Sequence, residues 1–360
     1  MGSSYRILVL NIGSTTTKVA FFENDHLKFQ ETIDHASQQL KSITDYMEQF
    51  PLRKEGIEGF LAKHQIELSK CHMIVSRGGL TAPLSSGVYL VDEGMREDLR
   101  SGKYGQHPTN LGPLIAHDLA KQGSIRAVIV DSPSIDEYQP LARVSGIPEI
   151  ERKSAFHALN QKAAARRAAD EMGVRYEDTN MVVAHLGGGI TIGAHQQGRV
   201  IDSTLGVGEG PMTPERAGTL PTMDLLRLLE SGKFSLTDLR LRLTSRGGLL
   251  AYLGTNDVSQ VEAEIREGNE KASLILEVMA YQIAKNIGAM STVLHGQIDA
   301  IVLTGGLANC ARLIDWIAKR VRFIAPAKVY PGEDEMLALA QGALRVLSGT
   351  ESVNRYSPSG

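Results

Sequence analysis

The side chains best suited to chemistry gather around three consecutive glycines, Gly187, Gly188 and Gly189, which follow a short apolar run ending in His185 and Leu186. Backbone N–H groups in a glycine turn can approach a phosphate closely, and an imidazole can donate a hydrogen bond to a phosphoryl oxygen. The residues after the glycines, ITIGAH, alternate as a strand does and do not open a helix. The pattern predicts a phosphate-binding hairpin turn, although His185 alone fits a buried core histidine equally well.

A second polar turn lies near the start of the chain, in the stretch NIGSTTTK. It offers an amide, a glycine, several hydroxyls and one amine to a phosphate: Asn11, Gly13, Ser14, Thr15, Thr16 and Lys18. The same residue types also favour ordinary polar turns. The Walker pattern GxxxxGKS/T is absent, so this turn is not a P-loop.

The two turns occupy matching places in a long repeat. When the run VLNIG is set over VAHLG, Asn11 falls on His185 at a separation of 174 residues, and Ala20 falls on Ala194. Both regions read as strand, turn, strand, turn, strand. A repeat at this distance predicts two similarly built domains whose hairpin turns clasp a polyphosphate from two sides of one cleft.

Other candidate residues follow predicted strands. The stretch TGGLAN leads from a strand into a helix, which suits the sugar or α-phosphate of a nucleotide at Gly305, Gly306 and Asn309. A nucleotide-bound Mg²⁺ needs one or two carboxylates. Six acids are candidates, of which we favour Asp131 and Glu335: Asp131, Asp202, Glu209, Glu333, Asp334 and Glu335. Three arginines near glycines or polar turns suit a carboxylate or a phosphoryl group: Arg77, Arg143 and Arg216.

The elements that must position these residues alternate between strands and helices after an opening hairpin in each half. Helices are predicted over residues 110–122, 154–172, 271–294, 308–318 and 333–348, and the last dozen residues are predicted to fray. This order indicates an α/β protein with mixed sheets, antiparallel at first and parallel afterwards.

Composition narrows the class of protein. The 360 residues carry a formal net charge of −3 without a basic block, so neither nucleic acid nor a membrane is an expected partner. The two cysteines, Cys71 and Cys310, lack metal-type spacing and are expected to be core thiols. Without a signal-peptide pattern, we expect a cytoplasmic protein.

Several segments resemble those of butyrate kinases in the acetate kinase group. They run in order along almost the whole chain: RILVLNIGSTTTKVAFFE, SRGGL, HPTNLG, IPEIERKSAFHALNQKAAARRAA, VVAHLGGGITIGAH, GEGPMTPERAG, GGLLAYLGTND, IVLTGGLAN and PGEDEMLALAQGALRVL. The resemblance implies two ribonuclease H-like domains of the actin, chaperone and sugar-kinase superfamily, with a nucleotide cleft between them. It places the first domain at residues 1–155 plus 333–360, with a returning C-terminal helix, and the second, nucleotide-binding domain at 156–332.

The implied reaction is reversible and Mg²⁺-dependent: ATP and a short-chain fatty acid give an acyl phosphate and ADP, in a homodimer or higher homo-oligomer. The implied roles put Asn11 and the hydroxyls of residues 14–16 near the transferring phosphoryl group and His185 on its oxygens. Asp131 would orient the nucleophile or hold Mg²⁺ through water, and Asn11 and Glu335 would place the metal. Residues 187–189 would contact the nucleotide phosphates and residues 305–309 the adenosine side, while Arg77 would bind the acyl carboxylate.

One position departs from the pattern of the group. Acetate kinases carry an arginine two residues after the aspartate of the segment matching TND, where this chain has Ser259. Either another arginine, such as Arg77 or Arg143, replaces it, or turnover is slower.

Three alternatives remain at the level of sequence. An acetate or propionate kinase differs only in the volume of its acyl pocket, where one methylene is worth about 1–3 kcal/mol. A protein that uses ATP as a conformational switch would share the fold but would not need the stretches FHALNQ and GPMTPERAG. A dehydrogenase is disfavoured, because no GxGxxG opens a helix after a strand.

Overall fold

A computed structural model describes residues 4–35, 43 and 45–357 of the chain. It divides into two compact units: the first holds the described residues up to Asp136 and from Asp334 onward, and the second is Glu137–Glu333. The predicted division fell at residues 155 and 333. Residues 137–155 cluster with the second unit because they bond to its third strand: the N–H of Gln139 donates to the carbonyl of Ile201.

Strands make up the two sheets. In chain order they are β1 Arg6–Ile12, β2 Thr16–Glu23, β3 His26–Asp34, β4 Met73–Arg77, β5 Val88–Leu90, β6 Arg126–Val130, β7 Asn180–Leu186, β8 Ile190–Gln196, β9 Arg199–Ser203, β10 Ala300–Gly305, β11 Ala327–Pro331 and β12 Val353–Asn354.

Helices cover these sheets. In chain order the α-helices are α1 Phe50–Lys63, α2 Glu93–Ser101, α3 Leu111–Gly123, α4 Pro140–Arg143, α5 Ala158–Met172, α6 Thr222–Glu230, α7 Leu236–Thr244, α8 Gly248–Leu253, α9 Val258–Arg266, α10 Glu270–Val293, α11 Ala311–Val321 and α12 Glu335–Leu347. None of the helices described has the length and apolar character needed to cross a membrane.

Both sheets begin with the predicted antiparallel hairpins and continue with parallel strands. The first sheet has the order β12-β5-β6-β4-β1-β2-β3, and the second has the order β11-β10-β7-β8-β9. In the first, β1, β4 and β6 run parallel. In the second, β7, β10 and β11 run parallel. The prediction of an α/β fold with two ribonuclease H-like domains and mixed sheets is confirmed.

The internal repeat is visible in the strand pairing, with one correction. Val9 pairs with Ala20, whereas Val183 pairs with Gly193. The residue equivalent to Ala20 is therefore Gly193, not Ala194. The reason is the length of the turn: four residues, 13–16, separate the last pair of the first hairpin, but only residues 187–189 separate the last pair of the second.

Alternation along the strands decides which side chains face the two cores. Leu8, Leu10 and Ile12 of β1 lie in the core beneath α1 and α3, so that Asn11 points to the opposite face, where α12 contacts β1, β4 and β6. In the second unit, alternate residues of β7 and β8 pack on α10 and α11. His185 and Thr191 consequently face the side that α5 covers.

Two predictions about helix and chain ends need comment. The Ala-rich helix α5 stops as predicted at Gly173, whose φ of 73° is left-handed. The predicted frayed tail is wrong for the described residues: β12 pairs with β5, and Tyr356 is buried, with its hydroxyl donating to Asp98 Oδ2 at 2.7 Å. A two-residue strand carries too little pattern to be read from sequence.

Candidate active site

Three predicted site residues of the first unit lie at the ends of neighbouring parallel strands. Asn11 is the penultimate residue of β1, Arg77 is the last residue of β4 and Asp131 comes directly after β6. Since the carboxyl ends of parallel strands meet at one edge, all three lie at the same edge of the sheet.

Glu335 joins two of them. Asn11 Nδ2 donates to Glu335 Oε2 at 2.6 Å, and Arg77 Nη1 lies 3.3 Å from each carboxylate oxygen. Glu335 is the first residue of α12, whose N-terminus favours a negative charge. Asp334 caps this helix by accepting from the N–H of Leu337 and is thus accounted for by local structure.

The oxygens of this cluster are of the type that Mg²⁺ prefers. Because Asn11 Nδ2 donates to Glu335, Asn11 Oδ1 is the side-chain atom that can accept a hydrogen bond or ligate a metal ion. Within the described ranges, no group of three or more His, Cys, Asp and Glu side chains could hold a metal by itself. A metal brought by a nucleotide needs fewer protein ligands, and Glu335 with Asn11 fits that need.

Asp131 is buried and has an uncommon backbone conformation, with φ at 40°. Its Oδ1 accepts from the N–H of Gly87 at 3.0 Å, and its own N–H donates to the Gly87 carbonyl. Non-glycine residues in this region cost energy and are concentrated at functional sites.

A buried arginine that no sequence pattern distinguishes supports the turn after β1. Arg53 of α1 is fully buried, and its guanidinium donates to the carbonyls of Ser14 and Thr16 and to Thr17 Oγ1. Two further bonds go to Gln49 Oε1. Burial lowers the pKa of Arg53 to about 10. Among the residues described, no carboxylate is paired with it, so a positive charge lies directly under the hydroxyl-rich turn.

His107, in the stretch HPTNLG, touches the same turn. Its Nδ1 accepts from the N–H of Thr109 at 3.1 Å, and its Nε2 lies 3.4 Å from Ser14 Oγ. Burial, and then the charges of Arg77 and Arg53, lower the pKa of His107. A neutral ring that accepts at Nδ1 carries its proton on Nε2, so His107 donates to Ser14. Ser14, Thr15 and Lys18 are themselves exposed.

In the second unit, His185 is buried and lies between two partners. Its Nε2 is 3.2 Å from Glu333 Oε1, and its ring stacks on that of His157 at 4.1 Å between centroids. The hydrogen bond from His185 lowers the pKa of Glu333, against the opposing effect of burial. His185 Nδ1 is buried and has no hydrogen-bond partner among the described residues, which is costly unless a ligand supplies one.

Two of the three glycines are explained by their neighbours. A side chain on Gly187 would come within 2.9 Å of Glu333 Oε1 and His185 Nε2. A side chain on Gly189 would collide with the guanidinium of Arg216. Gly188 is exposed, and nothing lies closer to its Cβ position than Glu215 Oε1 at 3.9 Å. The turn is therefore shaped by an acid, an imidazole and a guanidinium, with Gly188 at its open tip.

Arg216 is the candidate arginine that the structure places beside the glycine turn. Its Nη1 donates to the carbonyl of Gly206, while its buried Nε has no hydrogen-bond partner among the described residues. Arg143 instead donates to the carbonyl of Tyr138. Ser259 lies in the first turn of α9, where Asp257 accepts from its N–H as the helix cap.

The strand end at Gly305 reaches the same edge of the second sheet. Gly305 has a φ of 98°, and a side chain there would lie 2.4 Å from the carbonyl oxygen of Leu186, so this glycine is required by close packing of β10 against β7. Gly306 has open space around its Cβ position, and Asn309 Nδ2 donates to the Gly306 carbonyl at 2.9 Å.

Two candidate acids of the second unit are committed to an ion-pair network. Arg152 donates to both oxygens of Glu209, at 3.1 and 2.8 Å, and to Asp202 Oδ1 at 3.0 Å. Burial alone would lower the pKa of Arg152, but its bonds to Glu209 and Asp202 raise it above its usual value. Asp202 and Glu209 are thus held by a structural guanidinium.

Sequence reasoning missed Arg53 and His157. His157 belongs to the stretch FHALNQ and precedes α5 directly, which was a signal that a functional histidine could have been sought there. Arg53 carried no such signal, because only the packing of α1 beneath the turn distinguishes it from a surface arginine.

Comparison with known proteins places the chain near the carboxylate kinases. The model of the acetokinase family matches residues 147–325, a range that contains His157, His185, the three glycines and Arg216.

Solved structures extend the similarity of fold beyond that range. Acetate kinase from Porphyromonas gingivalis is 19% identical, with a TM-score of 0.77 over 96% of this chain and 100% of that one. A propionate kinase from Francisella tularensis subsp. tularensis is 20% identical, with a TM-score of 0.71 over 94% and 98%. Acetate kinase from Entamoeba histolytica is 16% identical, with a TM-score of 0.73 over 94% and 98%. Residues 147–325 of this chain thus match the acetokinase family, and the chain as a whole has the two-domain fold of acetate and propionate kinases.

Proposed function

We propose that this protein is a carboxylate kinase that transfers the terminal phosphoryl group of ATP to a short-chain fatty acid, butyrate or a branched-chain acid. The products are an acyl phosphate and ADP, and the reaction is reversible and requires Mg²⁺. Support comes from the family match over residues 147–325 and from the motifs outside that range, which resemble those of butyrate kinases.

One observation carries the proposal. Asn11 and His185 are the penultimate residues of the first strand in their sheets, and each contacts a glutamate, Glu335 and Glu333 respectively. Two units that present an amide–carboxylate pair and an imidazole–carboxylate pair at equivalent strand ends are suited to a polyphosphate with a cation. A protein without phosphoryl chemistry would have no need of such a pair at both places.

The chemistry asks for charge neutralisation and positioning. A short-chain carboxylic acid has a pKa of about 4–5, so it is ionised at neutral pH and needs no general base. The barrier comes from bringing this anion to a polyanion. In the first unit, Glu335 and Asn11 Oδ1 would hold Mg²⁺, which supplies charge neutralisation on the phosphates, and Arg77 would bind the carboxylate. Asp131 would orient the acid or hold a metal-bound water.

The second unit would supply hydrogen-bond donors to the phosphoryl group. His185 would donate to its oxygens from Nδ1, the ring nitrogen that has no hydrogen-bond partner among the described residues. Residues 187–189 would contact the nucleotide phosphates through N–H groups other than that of Gly187, which donates to the Gly189 carbonyl. Arg216, whose guanidinium lies at Gly189 without a carboxylate partner among the described residues, is the best-placed candidate to balance charge in the transition state. Residues 305–309 would contact the adenosine.

The test is a hydroxylamine trap. The purified protein is incubated with ATP, Mg²⁺, hydroxylamine and single acids of two to six carbons, and the acyl hydroxamate formed from each acyl phosphate is measured. We expect hydroxamate with butyrate or a branched-chain acid above that with acetate. A maximum at acetate or propionate would reassign the substrate, and no hydroxamate with any acid, together with acid-independent ATP hydrolysis, would favour a conformational ATPase.

We further propose that the enzyme acts in the cytoplasm as a homodimer or larger homo-oligomer. Support comes from apolar side chains that are exposed on α6, on α4 and on the segment after α4: Met223, Leu226 and Leu229, then Leu141, then Val144, Ile147 and Ile150. Light scattering of the purified protein that gives the mass of one chain at micromolar concentration would contradict this part of the proposal.

A further inference from the structure

A row of polar side chains lies buried under α5, where an apolar core would be expected. On β8, the residues Thr191, Gly193 and His195 alternate with Ile190, Ile192 and Ala194. The aliphatic set packs on α10. The polar set faces α5, which contributes Gln161, and Thr191, His195 and Gln161 are all fully buried. Buried polar groups are retained only when they are hydrogen-bonded, and these form a continuous chain.

The protons of this chain can be assigned from its partners, beginning at His195. Burial, and then the charges of Lys162 and Arg166, lower the pKa of His195 well below its usual value. The ring is therefore neutral and has one donor and one acceptor. Its Nδ1 lies 2.7 Å from the Tyr176 hydroxyl, and its Nε2 lies 3.0 Å from Gln161 Oε1.

Gln161 fixes the direction of these bonds. Its Nε2 donates to the backbone carbonyl of Thr191 at 3.1 Å and to Thr191 Oγ1 at 2.9 Å. A flipped amide would place Oε1 against that carbonyl, which cannot donate. Gln161 Oε1 must therefore accept from His195 Nε2–H, and the Tyr176 hydroxyl donates to His195 Nδ1.

The hydrogen bonds that Thr191 accepts fix the direction of its own hydrogen bond to His157. Its hydroxyl oxygen already accepts from Gln161 Nε2 and from the N–H of His157, the latter at 3.3 Å. With both lone pairs engaged, the hydroxyl hydrogen can only donate, and His157 Nδ1 lies 2.8 Å away. His157 consequently accepts at Nδ1 and carries its proton on Nε2, while its ring stacks on His185.

Gly193 shows that room for this chain is built into the strand. A side chain on Gly193 would come within 2.4 Å of Gln161 Oε1 and within about 3.2 Å of His195 Nε2. Gly193 is extended, so the missing side chain is needed for space and not for backbone conformation. The side chains of Gln161 and His195 thus meet in the space that a side chain at Gly193 would occupy.

We propose that Tyr176, His195, Gln161 and Thr191 act as a relay of positioning residues that holds the His157 imidazole in one tautomer and orientation and thereby fixes the stacked ring of His185. This inference rests on the proposed kinase function for its catalytic consequence, but the tautomer of His157 does not depend on activity. The relay would keep two imidazoles pre-oriented before a nucleotide arrives, which avoids the cost of ordering them in the transition state.

The test replaces the donor that faces His157. Thr191→Val removes the hydroxyl and keeps the shape, whereas Thr191→Ser keeps the hydroxyl. In the full-length protein labelled with ¹⁵N-histidine, long-range ¹H–¹⁵N spectra distinguish protonated from unprotonated ring nitrogens, and the signals missing from His157→Asn identify His157. We expect the wild type and Thr191→Ser to carry the proton on Nε2, and Thr191→Val to show a mixture of tautomers.

Kinetics provide the second readout. With the best acid from the hydroxylamine trap, we expect Thr191→Val to lower kcat about tenfold, with KM for ATP changed less than about twofold, and Thr191→Ser to recover most of the rate. Ser291→Ala is the matched control, since Ser291 is a buried hydroxyl of the same unit that donates within α10 to the Ile287 carbonyl.

The two readouts separate the two proposals. Wild-type spectra with the proton of His157 on Nδ1, or Thr191→Val spectra identical to those of the wild type, would overturn the relay whether or not the protein is a kinase. Unique Nε2 protonation without acyl phosphate formation would leave the relay standing and remove the kinase. If Thr191→Val does not fold, Gln161→Met decides, because it removes the donor to Thr191 Oγ1 and so the reason why that hydroxyl must donate to His157: the relay requires His157 to lose its single tautomer and kcat to fall below that of Ser291→Ala.

Discussion

The hairpin turns after β1 and β7 come from the same repeat, yet their polar groups are held in different ways. Under the first, the fully buried guanidinium of Arg53 binds carbonyls of the turn and leaves its hydroxyls facing outward. At the second, Gly187 and Gly189 make room for Glu333, His185 and Arg216. The backbone of the first turn is thus supported by the buried side chain of Arg53. The second turn instead leaves space, at Gly187 and Gly189, for the side chains of its neighbours. Equivalent topology can therefore present ligands through hydroxyls in one unit and through imidazole and N–H groups in the other.

The largest effect should come from the second turn. We expect His185→Ala to lower kcat about 100-fold or more while raising KM for ATP far less, because it removes a donor that acts on the transferring group. Steady-state kinetics measure both constants, and His26→Ala, at an exposed surface position, is the control. A large rise in KM with an unchanged kcat would make His185 a binding residue only.

The first turn should respond mainly in stability. Arg53→Met leaves Gln49 Oε1 and the carbonyls of Ser14 and Thr16 without their donor, and we expect a loss of about 2–4 kcal/mol. Chemical denaturation measures it, with Arg126→Met at an exposed position as the control. Wild-type stability in the Arg53 variant would mean that the turn does not depend on the guanidinium.

Substitution of Arg216 should lower the rate and leave stability almost unchanged, whereas substitution of Arg53 should mainly lower stability. Because only one hydrogen bond of its guanidinium is seen among the described residues, we expect Arg216→Ala to lower kcat about 10- to 100-fold with little change in the denaturation midpoint. Arg175→Ala, at an exposed position of the same unit, is the matched control. A shift in the midpoint with normal kcat would assign Arg216 to structure alone.

Arg77 is shared with Glu335, so its removal tests the first unit without disturbing the turn. We expect Arg77→Ala to lower kcat at least tenfold, since the acyl carboxylate loses its proposed cation. Because the same substitution removes a positive charge next to Glu335, the concentration of Mg²⁺ giving half-maximal rate should fall in the variant. An unchanged kcat would reject the proposed role.

The smallest effect concerns pH and the polar row under α5. The folded-state pKa of His195 is below its unfolded value, so below about pH 6.5 the unfolded chain takes up a proton that the folded chain does not. Stability is therefore present above that pH and is lost as the pH falls, by at most about 1.4 kcal/mol per pH unit. Denaturation midpoints of wild type and His195→Gln should converge as the pH falls from about 7.5 to 5.5; parallel curves would show that His195 titrates normally.

The repeat and the sheets could be predicted because they leave periodic or local signals, whereas the joint role of Asn11 and Glu335 was expected only from the family resemblance, since these residues are 324 positions apart. Strand alternation, glycine turns and the acidic start of α12 are all written in short stretches of sequence. Arg77 and Glu335 were both candidates, but the sequence does not show that they touch. Their contact is tertiary, between residues 258 positions apart.

The misses share one physical cause. Arg53, His157 and the relay under α5 owe their roles to burial between elements that are distant in sequence, which composition and spacing do not reveal. Asp202 and Glu209 look like free acids in sequence, but both are paired with Arg152 in the fold. The proposed roles of the site residues remain predictions that the variants above decide.

The return of α12 and β12 to the first sheet also orders the events of folding. Residues 137–333 form one continuous segment of the chain, so the whole second unit is synthesised without interruption. The first sheet, by contrast, lacks α12, which covers β1, β4 and β6, until that helix has been made. Domains generally fold as units during synthesis. The second unit can thus fold first, and the proposed metal cluster, which needs Glu335, is completed only after α12 has been made.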